Sequence, residues 1–286
     1  IRAGCRCFFG YPITPQTQVA EYMAKRMPKV GGVYLQSESE ISAINMVLGA
    51  SAAGVRAMTS SSSPGISLKA EGISYIAGSD LPAVIVNIQR GGPGLGGILP
   101  SQADYYQATK GLAHGDFRVI VLAPSGIQEI VDLMGKAFDL ADNYRMPIIV
   151  LGDGILGQMM EPVVFPETDE PSLPEKPWAV TGTGGKRRRN IINSLYIQPE
   201  ELEKTVLDRY SRYATAEKND VMYEKYLCDD ADIIITAYGS TARIARNAIK
   251  AARENGIKAG LFRPITLWPF PSAALKELAG RARSFL

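Results

Sequence analysis

The chain has 286 residues, 46% of them hydrophobic and 21% charged, and its 31 Lys and Arg against 29 Asp and Glu leave a net charge of +2. At about 150 residues per domain that length suggests about two domains. The composition is that of ordinary globular proteins and excludes disorder and collagen-like repeats, while the near-balanced charge gives no reason to expect nucleic-acid or membrane-surface binding.

Three cysteines, Cys5, Cys7 and Cys228, are too few for a disulfide framework in a chain this long and cannot supply the four thiolates of a typical iron–sulfur cluster. The longest uncharged stretch, residues 41–55, falls short of the ~18 to 20 apolar residues that span a bilayer. Arg2 is followed by no signal-type apolar core. A soluble cytoplasmic protein is expected.

The chain opens in what reads as the end of a helix and closes at the entry to a strand, so further residues are expected beyond both ends. Residues 10–15 (GYPITP) precede a predicted helix over 16–27. Thr14 stands where an N-cap belongs and Pro15 at the first helical position. The same terminus offers free N–H groups and partial positive charge to an anion. A second helix opens at 36–40 and runs to about 54. Glu38 and Glu40 suit its first turn, and the small apolar residues after Glu40 predict a helix buried nearly all round. A carboxylate entering that environment should have a raised pKa and want a hydrogen-bond partner.

Short β-rich runs at 57–59, 83–89, 117–123 and 147–152 read as strands, the last three as Val/Ile runs buried on both faces. The polar run after the first of these, residues 59–65 (TSSSSPG), lies at a strand's carboxyl end before a helix, where open α/β sheets bind ligands. Arg90 ends the second, and its guanidinium fork suits a carboxylate or phosphate. Gly92, Gly94 and Gly97 match the dinucleotide fingerprint, but Pro100 interrupts the helix it requires, so they read as a close-approach loop. His114, the one histidine, reads as structural, with no nucleophile elbow and no metal-ligand spacing beside it. A helix over 126–143 keeps one apolar face, and Ser125 with Gln128 fits a capping box. Residues 152–154 read as a turn; the Asn pair of a diphosphate motif does not follow.

From Glu161 the texture changes. Pro162, Pro166, Pro171, Pro174 and Pro177 suggest an extended crossing segment. Residues 182–186 imitate a phosphate loop without its leading Gly, and 186–189 is a basic run that reads as a solvated loop. A charged helix is predicted within 199–225 with Leu202, Val206 and Tyr210 on its buried side. A strand over 232–236, a turn at 238–240, a helix over 241–255 ended by Gly256 and a strand over 258–262 restart the α/β rhythm. The expected organisation is therefore an α/β domain with a parallel sheet over 1–160, a connector over 161–229, and the start of a second α/β domain over 230–286.

Six ordered stretches resemble the α-type subunit of 2-oxoacid:ferredoxin oxidoreductases, the part that carries the pyrimidine-side domain for thiamine diphosphate. They are residues 10–15 (GYPITP), 36–50 (QSESEISAINMVLGA), 59–71 (TSSSSPGISLKAE), 87–94 (NIQRGGPG), 114–124 (HGDFRVIVLAP) and 262–271 (FRPITLWPFP). Residues 59–68 and 158–164 (QMMEPVV) are most similar to the branched-chain type, which acts on 3-methyl-2-oxobutanoate (2-ketoisovalerate). The 2-oxoglutarate type follows closely.

The resemblance implies a parallel-sheet pyrimidine-binding domain followed by a truncated domain like the transketolase carboxyl-terminal one. It implies that Glu40 is the catalytic glutamate bonded to the pyrimidine N1′ of thiamine diphosphate, with Glu38 as the nearby rival. Thr14 and Arg90 fall on the substrate-binding positions, and Ser61, Ser62, Ser63 and Gly65 on the cofactor-binding loop. The diphosphate with its magnesium would be held by a partner β subunit, and iron–sulfur clusters by a further subunit. Coenzyme A is the implied acyl acceptor and ferredoxin the electron acceptor. Neither nucleic acid nor membrane is implied as a partner. A non-catalytic assembly paralogue and a nicotinamide dehydrogenase are the competing readings. Retention of Glu40, Thr14 and Arg90 together argues against the former, and the failed helix after Gly97 against the latter.

Overall fold

A computed structural model describes residues 1–166 and 173–286; Pro171, expected in the crossing segment, lies outside the described residues. The first sheet is built from β1 (Cys7–Gly10), β2 (Val33–Gln36), β3 (Ala57–Ser61), β4 (Ala83–Gln89), β5 (Ile120–Leu122), β6 (Pro147–Asp153) and β10 (Thr266–Trp268). Their order is β10-β5-β6-β4-β3-β1-β2. Every pair is parallel except β10 against β5. Residues 1–6 form a turn leading into β1, not the end of a helix. The Val/Ile runs of β4 and β6 pair along their whole length and are buried, as strands covered on both faces must be.

The covering helices are α1 (Thr17–Arg26), α2 (Glu40–Ala52), α3 (Ser63–Gly78), α4 (Tyr105–Thr109), α5 (Ile127–Tyr144), α6 (Gly154–Gln158) and α7 (Pro199–Asn219). α2 and α3 pack closely because Gly72 leaves room for Ile44; a methyl at position 72 would overlap that side chain. α2 is not buried all round. Ala43, Ile44 and Val47 face the core, whereas Ile41 is 51% exposed and Asn45 and Gly49 are open. Its apolar composition exceeds what this chain covers. α7 corrects another expectation: its buried residues are Arg209, Tyr213 and Ala216, while Leu202 and Tyr210 are exposed. The helix docks through Arg209 on Asp80 (3.0 Å) and through Tyr213 set edge-on against Trp268.

The second sheet holds β7 (Tyr223–Tyr226), β8 (Ile233–Thr236), β9 (Ala259–Pro264) and β11 (Ser284–Phe285), ordered β11-β8-β9-β7, with α8 (Gly239–Glu254) and α9 (Ser272–Ala279) beside it. β7 comes from the stretch expected as connector, and β10 crosses back to the first sheet. Arg263 of β9 seals the junction by bonding both carboxylate oxygens of Glu129 on α5 at 2.8 Å. The start of α5 also differs from the expected capping box. Gly126 is the N-cap, and Glu129, not Gln128, accepts from the Ser125 N–H at 2.7 Å. Burial would raise the Glu129 pKa, but the bonds and charge of Arg263 hold it below the usual carboxylate range.

All three cysteines are buried and free, and burial pushes the Cys5 thiol up to about 11. Among the described residues no helix is long and apolar enough to cross a membrane. Arg56, just before β3, is buried against Asp142 (2.8 Å), Asp139 (2.7 Å) and the carbonyl of Ala3 (2.7 Å). Its truncation leaves the buried Asp142 carboxylate with Lys176 (2.6 Å) as its remaining partner, so Arg56→Ala is expected to destabilise the chain by about 1–3 kcal/mol, measured as a lowered urea midpoint.

Candidate active site

Parallel strands bring their carboxyl ends to one rim, and every candidate residue sits there. Thr14 lies in the loop after β1, and Glu40 opens α2 after β2. Ser61 ends β3, Ser62, Ser63 and Gly65 form the turn into α3, and Arg90 follows β4.

Glu40 is the first residue of α2, capped by the Ser39 hydroxyl, which accepts from the Ser42 N–H at 3.1 Å. Ser37 Oγ reaches both the Gly10 carbonyl (3.2 Å) and the Ser39 carbonyl (2.8 Å), tying this turn to the end of β1. The burial of the two glutamates separates them: Glu40 is 6% exposed and Glu38 points to solvent. The Glu40 carboxylate lies against the first turn of α3. A methyl on Gly65 would stand 2.9 Å from Glu40 Oε1 and overlap Ser61 Oγ. Ser61 Oγ and Ser62 Oγ are buried and have no hydrogen-bond partner among the described residues. Buried hydroxyls are ordinarily bonded, so this pair holds donor and acceptor capacity in reserve.

Thr14 and Arg90 are brought together, though not by their expected chemistry. α1 starts at Thr17 with Gln16 as N-cap, so Thr14 caps nothing. Instead its carbonyl accepts from Arg90 Nη1 at 2.9 Å, and Arg90 Nη2 donates to the Leu95 carbonyl at 3.2 Å. Arg90 Nε is buried without a partner. Arg90 thus clamps the loop after β1 to the glycine loop 91–97 and keeps its buried Nε uncommitted.

Ser63 differs from Ser61 and Ser62 because its capacity is spent. Its hydroxyl donates to Asp104 Oδ2 at 2.6 Å and accepts from the Arg90 N–H at 3.0 Å. Asn87 bonds the same carboxylate oxygen (2.9 Å), and Gln89 Oε1 accepts from the Asp104 N–H at 3.1 Å. Asn87, Gln89 and Asp104 were missed by sequence reasoning. The available signal was two amides spaced i, i+2 on one face of an otherwise apolar strand. Asp153 was read as part of a turn; it ends β6 and caps α6 by accepting from the Ile155 N–H at 2.9 Å and the Leu156 N–H at 3.1 Å. It also accepts from Ser240 Oγ at the start of α8, which brings the second unit to the rim.

Residues 91–97 make no phosphate-binding helix start: the next helix is α4, and the loop turns back on itself through Gly96 at φ +56. His114 packs edge-on against Tyr75, and its backbone carbonyl accepts from Ser74 Oγ at 2.9 Å. The basic run 186–189 is exposed. Among the described residues no group of three or more His, Cys, Asp and Glu converges to hold a metal ion.

A parallel α/β sheet with a buried glutamate opening a helix at its carboxyl rim lies next to a second α/β unit. A split-gene transketolase shares this fold at a TM-score of 0.56 and 15% identity, over 97% of this chain and 71% of that one. The chain belongs to the pyruvate flavodoxin/ferredoxin oxidoreductase family: the thiamine-diphosphate-binding family model matches residues 1–231, and core domain II of pyruvate:ferredoxin oxidoreductase matches residues 231–286. The ketoisovalerate oxidoreductase subunit VorB of Methanothermobacter marburgensis is 51% identical over 99% of this chain and 80% of its own. The 2-oxoglutarate synthase subunit KorA of Methanothermobacter thermautotrophicus is 39% identical over 100% of this chain and 83% of its own. The solved 2-oxoglutarate:ferredoxin oxidoreductase of Magnetococcus marinus, with 2-oxoglutarate, coenzyme A and succinyl-CoA bound, superposes with a TM-score of 0.85 at 29% identity over 99% of this chain. The chain spans about half, 54%, of that protein's length.

Proposed function

We propose that this chain is the pyrimidine-side subunit of a cytoplasmic ketoisovalerate:ferredoxin oxidoreductase. The complex would carry out coenzyme-A-dependent oxidative decarboxylation of 3-methyl-2-oxobutanoate and pass the electrons to ferredoxin. The observation that carries the reading is the buried Glu40 carboxylate against Gly65 and the uncommitted Ser61 hydroxyl, with Ser62 Oγ also buried and unpartnered in the same turn. Substrate subtype rests on the identity of 51% to a ketoisovalerate subunit against 39% to a 2-oxoglutarate one.

The residues fit an aminopyrimidine. Such a ring needs a carboxylate at one nitrogen and small polar neighbours along its edge, and a bare glycine leaves room for it. Bound thiamine diphosphate would supply the nucleophilic carbon that adds to the 2-oxo group and the electron sink that lets carbon dioxide leave. Glu40 holds the proton at the ring nitrogen N1′. Ser61 and Ser62 bond the ring edge, Gly65 admits it, and Ser63 acts one step back by holding the Arg90 backbone. Arg90 Nε is the donor left for the substrate carboxylate, with Thr14 beside it. The diphosphate and its magnesium, the iron–sulfur clusters and the ferredoxin contact fall to partner subunits. Within this chain the pyrimidine domain is assigned to 1–160 with β10 added to its sheet, and a transketolase carboxyl-terminal-like domain to 230–286 with β7 added to its sheet, the rest of 161–229 being the connector.

The test is anaerobic purification of the chain with its native companions, followed by assays of bound thiamine diphosphate and iron. Viologen reduction is then followed over a panel of 2-oxo acids with coenzyme A. A cluster-bearing companion and a lead for 3-methyl-2-oxobutanoate are expected. A lead for 2-oxoglutarate would change the subtype, and a chain that purifies alone without thiamine or activity would favour the non-catalytic paralogue. Within the site, Gly65→Ala is expected to weaken thiamine diphosphate binding to the complex about tenfold, measured by titration, because Ser61 and Glu40 must both give way.

A further inference from the structure

The seam behind Glu40 holds a charged group that the reaction above leaves unused. Gly65, Lys69 and Gly72 share one face of α3, at spacings of four and three residues, and Glu40 and Ile44 face them one turn apart on α2. Lys69 is 0% exposed. Its Nζ donates to the Glu40 carbonyl oxygen at 3.3 Å.

A lysine is almost never fully buried unless it is paired. The first turn of a helix, with its partial positive charge, is an unfavourable place for a second cation. A methionine would fill the same space without the cost of desolvating an ammonium. Packing alone therefore does not account for a lysine here, and the compensating charge is Glu40. Burial pulls the Lys69 ammonium down to about 8, and the charge of Glu40 works against that pull.

The other charged groups on elements packed around α3 stand elsewhere. Asp104 and Arg90 meet its N-terminal end at Ser63. Glu71 bonds Tyr75 on its outer face, and His114 lies beside Ser74. Arg209 and Asp80 close its far end at Gly78. Asp153 is taken up by α6 and Ser240.

We propose that Lys69 is the positioning residue of Glu40: its buried ammonium pins the first turn of α2 through the Glu40 carbonyl and sets a positive charge behind the carboxylate, aiming it at the pyrimidine ring of thiamine diphosphate. The inference rests on the assignment of Glu40 made above.

The test is the pH dependence of thiamine diphosphate binding to the cofactor-stripped complex, titrated for the wild type, Lys69→Met, Lys69→Gln, Lys69→Arg and Glu40→Gln. Met fills the volume without charge, Gln keeps a donor for the Glu40 carbonyl, and Arg keeps the cation. Ionisations of the diphosphate are common to all and cancel in the comparison. Removing a positive charge near a carboxylate favours its neutral form, so the variants that lack the cation are expected to lose binding at a higher pH. The acid limb of Lys69→Met and Lys69→Gln is expected about one pH unit above the wild type, a loss of about tenfold in affinity along that limb, with Lys69→Arg recovering most of it. Superimposable profiles, or weakening by the same factor at every pH, would overturn the proposal, since Lys69 would then serve packing alone. If Lys69→Met does not assemble, the Gln and Arg variants decide by the same criterion. A Glu40→Gln profile identical to the wild type removes the Glu40 assignment and this inference with it. A changed Glu40→Gln profile beside unchanged Lys69 variants removes this inference alone.

Discussion

Glu40→Gln is expected to lower turnover by about a hundredfold or more, the scale of losing a positioned acid or base, while the subunit still folds and assembles. The substitution is nearly isosteric. Gln keeps an oxygen where Glu40 Oε1 meets the first turn of α3, and it suits the start of a helix whose cap is Ser39, not Glu40. What it removes is the carboxylate that holds the ring-nitrogen proton. Fold and assembly should therefore persist by gel filtration and circular dichroism, at a cost in stability because buried Lys69 loses the Glu40 charge, with viologen reduction lost. Glu38→Gln serves as the control. Glu38 points to solvent two residues earlier, and its loss should cost little beyond a few tenths of a kcal/mol of interaction with the helix terminus. Unchanged turnover in Glu40→Gln would sink the assignment.

Much of the fold around the candidate site is legible in the sequence. The alternation of Val/Ile runs with amphipathic helices places a parallel sheet, and the carboxyl ends of its strands locate the rim. β1, β2 and β10 were not legible. They are short, and β2 is an edge strand with Val33 and Leu35 exposed, so no run of buried residues marks it. The docking face of α7 was misread for a related reason: an Arg209–Asp80 ion pair and a Tyr213–Trp268 contact fix it, and apolar spacing carries no record of either. The four serines of residues 60–63 look alike in sequence. They part only in three dimensions, where Ser60 donates to Gln16, Ser63 is consumed by Asp104 and Arg90, and Ser61 and Ser62 are left uncommitted. Lys69 is hidden in sequence for the opposite reason, since a lysine on a helix is ordinarily a solvated residue.

Arg90→Ala is expected to raise the apparent KM for the 2-oxo acid about ten- to a hundredfold, the scale of one charge-assisted hydrogen bond, with the KM for coenzyme A nearly unchanged. The geometry makes the test sharper than a simple truncation. Arg90 spends Nη1 on the Thr14 carbonyl and Nη2 on the Leu95 carbonyl, leaving Nε for a ligand. A loop clamp and a carboxylate ligand thus share one side chain. Arg90→Lys separates them, because an ammonium keeps the positive charge but cannot span two carbonyls and a substrate in one plane. If attraction to the substrate carboxylate dominates, Lys recovers part of the KM. If the clamp dominates, Lys behaves as Ala does, and both substrates suffer together as the loops after β1 and β4 drift apart. Equal rises in the two Michaelis constants would therefore mark Arg90 as a structural arginine and leave the carboxylate to another donor on the same rim.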